Sequence, residues 1–184
     1  MDRFREHFEV AGERFALIGG VAVEHWLTQA ALPARRTKDF DVVLFAELLD
    51  DSFLDLVWAF IKAAGYASRQ GSSGERRYYR FAKPKDPSFP AMLEIFSRRL
   101  VGLPLPPDQE ITPIPPDADG SSLSAILLDD HYYRLVKENR ELAQGLPMVR
   151  PEALVLLKAK AWLDLTARLP SPCGCRRRTE GRRS

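Results

Sequence analysis

Apolar positions along the chain change period several times, and each change marks an element. In residues 2–11, Phe4 and Phe8 share one side of a helical turn, with Val10 or Ala11 continuing the stripe, so a short amphipathic helix is expected. The run FALI at positions 15–18, bounded by Gly12 and Gly19, predicts a buried central strand. Gly19-Gly20 then predicts a turn, and 21–31 a helix that Pro33 ends. Positions 39–45 alternate: Phe40, Val42 and Leu44 take one strand face, while Asp39, Asp41, Val43 and Phe45 take the other. Phe53, Leu56, Val57, Phe60, Ile61 and Ala64 make a helical stripe within 48–65, with Gly65 as its C-cap.

The second half is less regular. Residues 66–74 are polar and loop-like, and 76–81 alternates Arg76, Tyr78 and Arg80 with Arg77, Tyr79 and Phe81, as a strand does. A further apolar strand follows at 91–99, with Glu94 set between Leu93 and Ile95. Prolines 104, 106, 107, 113, 115 and 116 leave room only for a short edge strand near 109–114. The stretch 122–139 is expected to be β, with Asp129-Asp130 as a hairpin turn and His131 a surface residue after it. Within 147–168 a helix is expected with Pro151 at its start, where the first helical position suits proline, and with Leu154, Leu157, Ala161 and Leu165 as its stripe. After Arg168 periodicity stops, and Pro170 and Pro172 exclude a helix. A disordered or non-native tail is expected there, such as an out-of-frame reading would produce, with a basic RNA-gripping tail as the alternative.

The expected fold class is α+β: a mixed sheet flanked by helices, with a C-terminal helix. The expected division is a core at 1–100, a β-hairpin and helical extension packed on it at 101–168, and the tail at 169–184. With 184 residues the chain can bury one substantial core. Its 45% hydrophobic and 28% charged content is ordinary for a globular domain. The N-terminus lacks an apolar signal core and no apolar run is long enough to span a bilayer, so a cytoplasmic protein without a membrane partner is expected. Cys173 and Cys175 are too close for an ordinary disulfide and too few for a zinc site. The net charge of +2 is concentrated near the end, where five arginines and one glutamate after Cys173 contribute +4 and leave −2 for the rest. The body therefore has no global basic footprint for nucleic acid.

The candidate chemistry centres on carboxylates. Asp39 and Asp41 project from one strand face near Gly19-Gly20, and like charges in that arrangement call for a cation. Asp is disfavoured in strands, and Val43 and Phe45 make the same face apolar further along, so the pair sits at the mouth of a buried surface. A strand, a Gly-Gly pair and a helix start present backbone N–H groups to anionic oxygens; alone, such a pair is ordinarily a tight turn. Glu94 is a candidate third oxygen ligand. The basic and aromatic residues of 76–81 can hold a base or single strand, or equally form a solvated strand face. Lys158 lies one turn from Leu154 and Ala161, beside the apolar stripe, where a snorkelling surface lysine also fits.

Gly19-Gly20, then Arg36-Thr37-Lys38-Asp39-Phe40-Asp41, then Leu93-Glu94-Ile95, resembles the nucleotidyltransferase superfamily with its polymerase-β-like fold. The Arg-Thr-x-Asp-x-Asp form and the late LLKAKA helix look like the AbiEii-type toxins and related minimal nucleotidyltransferases. The chain departs from that pattern in a longer gap before Asp39 and in Glu94 where Asp is usual. The resemblance implies a nucleotidyltransferase-like fold with Mg²⁺ or Mn²⁺ held by Asp39, Asp41 and Glu94, which are also its catalytic residues. It implies nucleotide binding by Gly19, Gly20, Arg36, Thr37 and Lys158. The implied reaction moves an NMP from an NTP to an acceptor hydroxyl on RNA (such as a tRNA end), protein or a small molecule. It further implies a toxin–antitoxin or abortive-infection role with an antitoxin partner. The alternative expectation is a catalytically inactive member that binds a nucleotide or a partner.

Overall fold

The computed structural model describes residues 2–66, 68–71, 78–97, 112–113 and 129–167. Among the described residues, eight strands form one mixed sheet with helices on both faces. In chain order the elements are α1 (Asp2–Phe8), β1 (Phe15–Ile18), α2 (Gly19–Gln29), β2 (Asp39–Leu44), α3 (Asp51–Ala64), β3 (Ser68–Gly71), β4 (Tyr78–Ala82), β5 (Met92–Ser97), β6 (Thr112–Pro113), α4 (Asp130–Glu138), β7 (Arg140–Ala143), β8 (Leu146–Val149) and α5 (Pro151–Ala167). The spatial order is β6-β3-β4-β5-β2-β1-β8-β7. β2 lies between β1, antiparallel to it, and β5, parallel to it, while β1 runs parallel to β8 on its other side.

Strand alternation sorts the core into two layers. One face carries Phe15, Val42, Leu44, Leu93 and Ile95 against Phe4, Phe8, Phe53 and Val57 of α1 and α3. Phe4 meets four rings there, those of Phe8, Phe15, Phe40 and Phe60. The other face begins with Asp39 and Asp41 and continues into buried Val43 and Phe45, as the alternation requires. Helices α2, α4 and α5 lie on this side, where Tyr133 of α4 packs edge-on against Phe45. The Tyr133 hydroxyl also donates to Glu47 Oε2 at 2.7 Å. Helix α3 starts on Asp50, whose side chain accepts the Phe53 N–H, and ends on Gly65 at φ 58°, the left-handed cap expected of glycine. Among the described residues no helix is long and apolar enough to cross a membrane.

Three expectations need correction. Asp129-Asp130 is not a hairpin turn: the Asp129 carboxylate accepts the His131 and Tyr132 N–H groups and caps α4. Aspartate is among the best N-caps, and Tyr133 and Val136, three apart, turn one helical face inward. The hairpin lies further on, between β7 and β8, around Gln144 and Gly145 at φ 52° and 81°. Residues 68–71, expected in a loop, form β3 by pairing with β4. Helix α2 begins at Gly19, so Gly19-Gly20 is its first turn rather than a separate loop. The expected tail at 169–184 and most of the proline-rich stretch lie outside the described residues. Within that stretch, β6 forms at the expected edge.

The cap yields a direct check. Asp129→Ala should lower stability by about 1 kcal/mol in urea denaturation. A solvent-exposed hairpin turn at the same place would leave it nearly unchanged.

Candidate carboxylate site

The site is a row of side chains across four strands. Register places Ile18 of β1 opposite Asp41 of β2, Asp41 opposite Glu94 of β5, and Glu94 opposite Arg80 of β4. Residues paired across strands share a face, with backbones about 4.8 Å apart, whereas two residues apart along a strand is about 7 Å. The close carboxyl pair is therefore Asp41–Glu94 rather than Asp39–Asp41. Glu94 is only 7% exposed. Arg80 Nε donates to its Oε1 at 2.5 Å.

Asp41 is hydrogen-bonded to Glu94 and its pKa is pushed up to about 8. Burial is the largest cause, followed by the Glu94 charge and hydrogen bond and then the charge of Asp39; Lys158 opposes the shift. Burial and the neighbouring Glu94 thus favour the protonated form of the Asp41 carboxyl. Asp39, two residues earlier, is exposed at the mouth.

The start of α2 closes against this row. Gly19 sits at φ 65°, and a Cβ there would stand 1.9 Å from Asp41 Oδ2. Any side chain at this position would have to displace the carboxylate. A Cβ on Gly20 would meet Thr37 Cγ2 at 3.0 Å, so the loop before β2 lies tightly on the helix start. Thr37 is fixed by its N–H to Glu24 Oε2 at 2.9 Å, and its Oγ1 accepts the Asp39 N–H at 3.1 Å. It therefore links the helix to the acidic strand. Arg36 is exposed on that loop. Lys158 is exposed on α5, near enough for its charge to act on Asp41.

The structure thus brings together Gly19, Gly20, Thr37, Asp41 and Glu94, with Asp39 and Lys158 within electrostatic reach. Among the described residues, no three His, Cys, Asp or Glu side chains form a group that could hold a metal ion. Asp41 and Glu94 are nonetheless a hard oxygen pair of the type divalent cations use, and a cation could replace the Asp41 proton. Sequence reasoning missed two contributors, Arg80 and Glu24. Arg80 stood on an alternating strand, but only the β4–β5 register assigns it to Glu94. Glu24 gave no signal, because its partner is a backbone N–H in a loop. No protein-family model matches this chain, and no curated protein resembles it significantly.

Two outcomes test this geometry. Gly19→Ala should destabilise the protein by about 2 kcal/mol or more, since it adds left-handed strain to the clash with Asp41. Asp41 is held protonated above its ordinary value of 3.8, so the folded state binds the extra proton. Its contribution to stability is complete below about pH 4 and is lost as pH rises towards about 8. In EDTA, urea midpoints of the native protein should fall across that window relative to Asp41→Asn, which carries no such proton.

Proposed function

We propose that the chain is a metal-dependent nucleotidyltransferase, transferring an NMP from an NTP to an acceptor hydroxyl. The observation that carries this reading is the Asp41–Glu94 carboxyl pair packed against a glycine at the first turn of a helix. A carboxyl pair that favours a proton can instead share a divalent cation, and a helix start without side chains admits phosphate oxygens to backbone N–H groups. Gly19 and Gly20 would accommodate the β and γ phosphates. Asp39 and Asp41 would hold Mg²⁺ or Mn²⁺, with Glu94 completing the set. Bound there, the ion would offset charge on the triphosphate and the departing pyrophosphate.

The remaining roles belong to the protein. The acceptor oxygen attacks the α-phosphorus, the bond to the bridging α–β oxygen breaks, and pyrophosphate leaves. Glu94, oriented by Arg80, would help take the acceptor proton. Thr37 sets the distance between the helix start and Asp39. Lys158 and Arg36 supply positive charge towards the triphosphate. RNA, protein and small molecules all remain acceptor classes under this reading, as does a toxin role with an antitoxin partner.

A second reading has its own support. Glu94 is already paired with Arg80, and no three-ligand group forms among the described residues. A catalytically inactive protein that binds a nucleotide or a partner has these properties. Incubation with each α-³²P-labelled NTP and a cell lysate separates the two. Transfer of label that requires Mg²⁺ or Mn²⁺, with at least a hundredfold loss in both Asp39→Asn and Asp41→Asn, is the expected result. Labelling unchanged in these variants would refute the mechanism. If no label is transferred, metal plus NTP gives no thermal shift and a partner co-purifies with the chain, the partner-binding reading replaces it.

A further inference from the structure

Glu94 stands between an acid and a cation. Register sets it beside Asp41 of β2 on one side and beside Arg80 of β4 on the other. The Arg80 Nε–H donates to Glu94 Oε1 at 2.5 Å, and only 9% of the Glu94 side chain is exposed, against 25% for Arg80. A buried carboxylate without a counter-charge is costly. The guanidinium meets that cost, and it stays charged at any working pH. Both residues sit on paired strands, so the cation is fixed by the sheet rather than by a loop. In the protein alone, the most buried carboxylate of the row is already neutralised.

That pairing works against a metal ion. A divalent ion held by Asp41 and Glu94 has to share Glu94 with the guanidinium, and like charges that close repel strongly in a site shielded from water. Affinity for such ions follows the negative charge that the ligands keep. Arg80 offsets the charge of Glu94, and Lys158 brings a second cation within electrostatic reach of Asp41. What the row lacks is negative charge and further oxygens. A polyphosphate supplies both, and Mg²⁺ is ordinarily held by one or two carboxylates together with substrate phosphates. Such phosphates have a place beside the row. Gly19, in the first turn of α2, lies against the Asp41 carboxylate, since a Cβ on it would stand 1.9 Å from Oδ2.

We propose that Arg80 is a resident counter-cation that keeps the Asp41–Glu94 pair poor in metal until a nucleoside triphosphate arrives, so that ion and nucleotide bind together rather than in sequence. The proposal rests on the nucleotidyltransferase reading above, and its test reads binding rather than transfer. Equilibrium dialysis measures the Mn²⁺ retained by the full chain, alone and with each α,β-methylene NTP analogue. The native protein should retain Mn²⁺ at least about tenfold more weakly without nucleotide than with it. Arg80→Gln should retain Mn²⁺ alone at least about tenfold more tightly than the native protein, and Arg80→Lys, which keeps the charge, should behave as native. Asp41→Asn should abolish retention throughout. Arg80→Gln leaves Glu94 without its partner, so its melting temperature is read as well: Mn²⁺ alone should raise it more than it raises the native value. A variant that stays unfolded in Mn²⁺ would overturn the proposal, because the ion then does not replace the guanidinium. If the native chain retains Mn²⁺ alone as tightly as Arg80→Gln, and Asp41→Asn abolishes both, the metal site stands and the role of Arg80 fails. If neither protein retains Mn²⁺ with any nucleotide, the metal-dependent reading fails with it.

Discussion

Burying two carboxyl groups side by side is costly unless something stands between them, and much of this protein's central architecture answers that cost. The proton favoured at Asp41, the Arg80 guanidinium on Glu94 and the nearby charge of Lys158 each offset part of the repulsion. They come from β2, from β4 two strands away and from α5, so the electrostatic solution exists only when the sheet and α5 are assembled. Gly19 serves the same end sterically. Its missing side chain is the space the Asp41 carboxylate occupies.

The apolar frame around this pair has the opposite logic. β2 carries acids at its beginning and Val43 and Phe45 further along the same face, so one strand passes from solvent to core within a few residues. The Phe4 ring cluster fixes the far side of the sheet, while Tyr133 ties α4 to Phe45 and to the turn after β2. Stability and candidate chemistry therefore share a strand, and changes at its acidic end act on both.

Elements with a strong period were legible before any coordinates: Phe15–Ile18, the alternation at 39–45, the stripe of α3 and its glycine cap. Local chemistry settled those. What could not be read depended on partners distant in sequence. Asp39 and Asp41 looked like the pair because they are neighbours in the chain, yet strand geometry makes the lateral neighbour closer, and lateral order is a property of the assembled sheet. β3 has no apolar alternation and exists through β4. At Asp129-Asp130 the apolar run before the acids suggested a strand, while the capping role of Asp129 emerges only with Tyr133 and Val136 turned inward.

The place of β1 has a consequence for biosynthesis. Its second neighbour, β8, lies near the end of the described chain, with Leu17 paired to Met148. While the ribosome is still producing the middle of the protein, β1 and β2 can pair, but one flank of FALI has no strand to meet. An unmet apolar edge on a nascent chain is a site for wrong association. The four residues of β8 therefore act as a late closure, covering the open side of β1 after most of the core has been made.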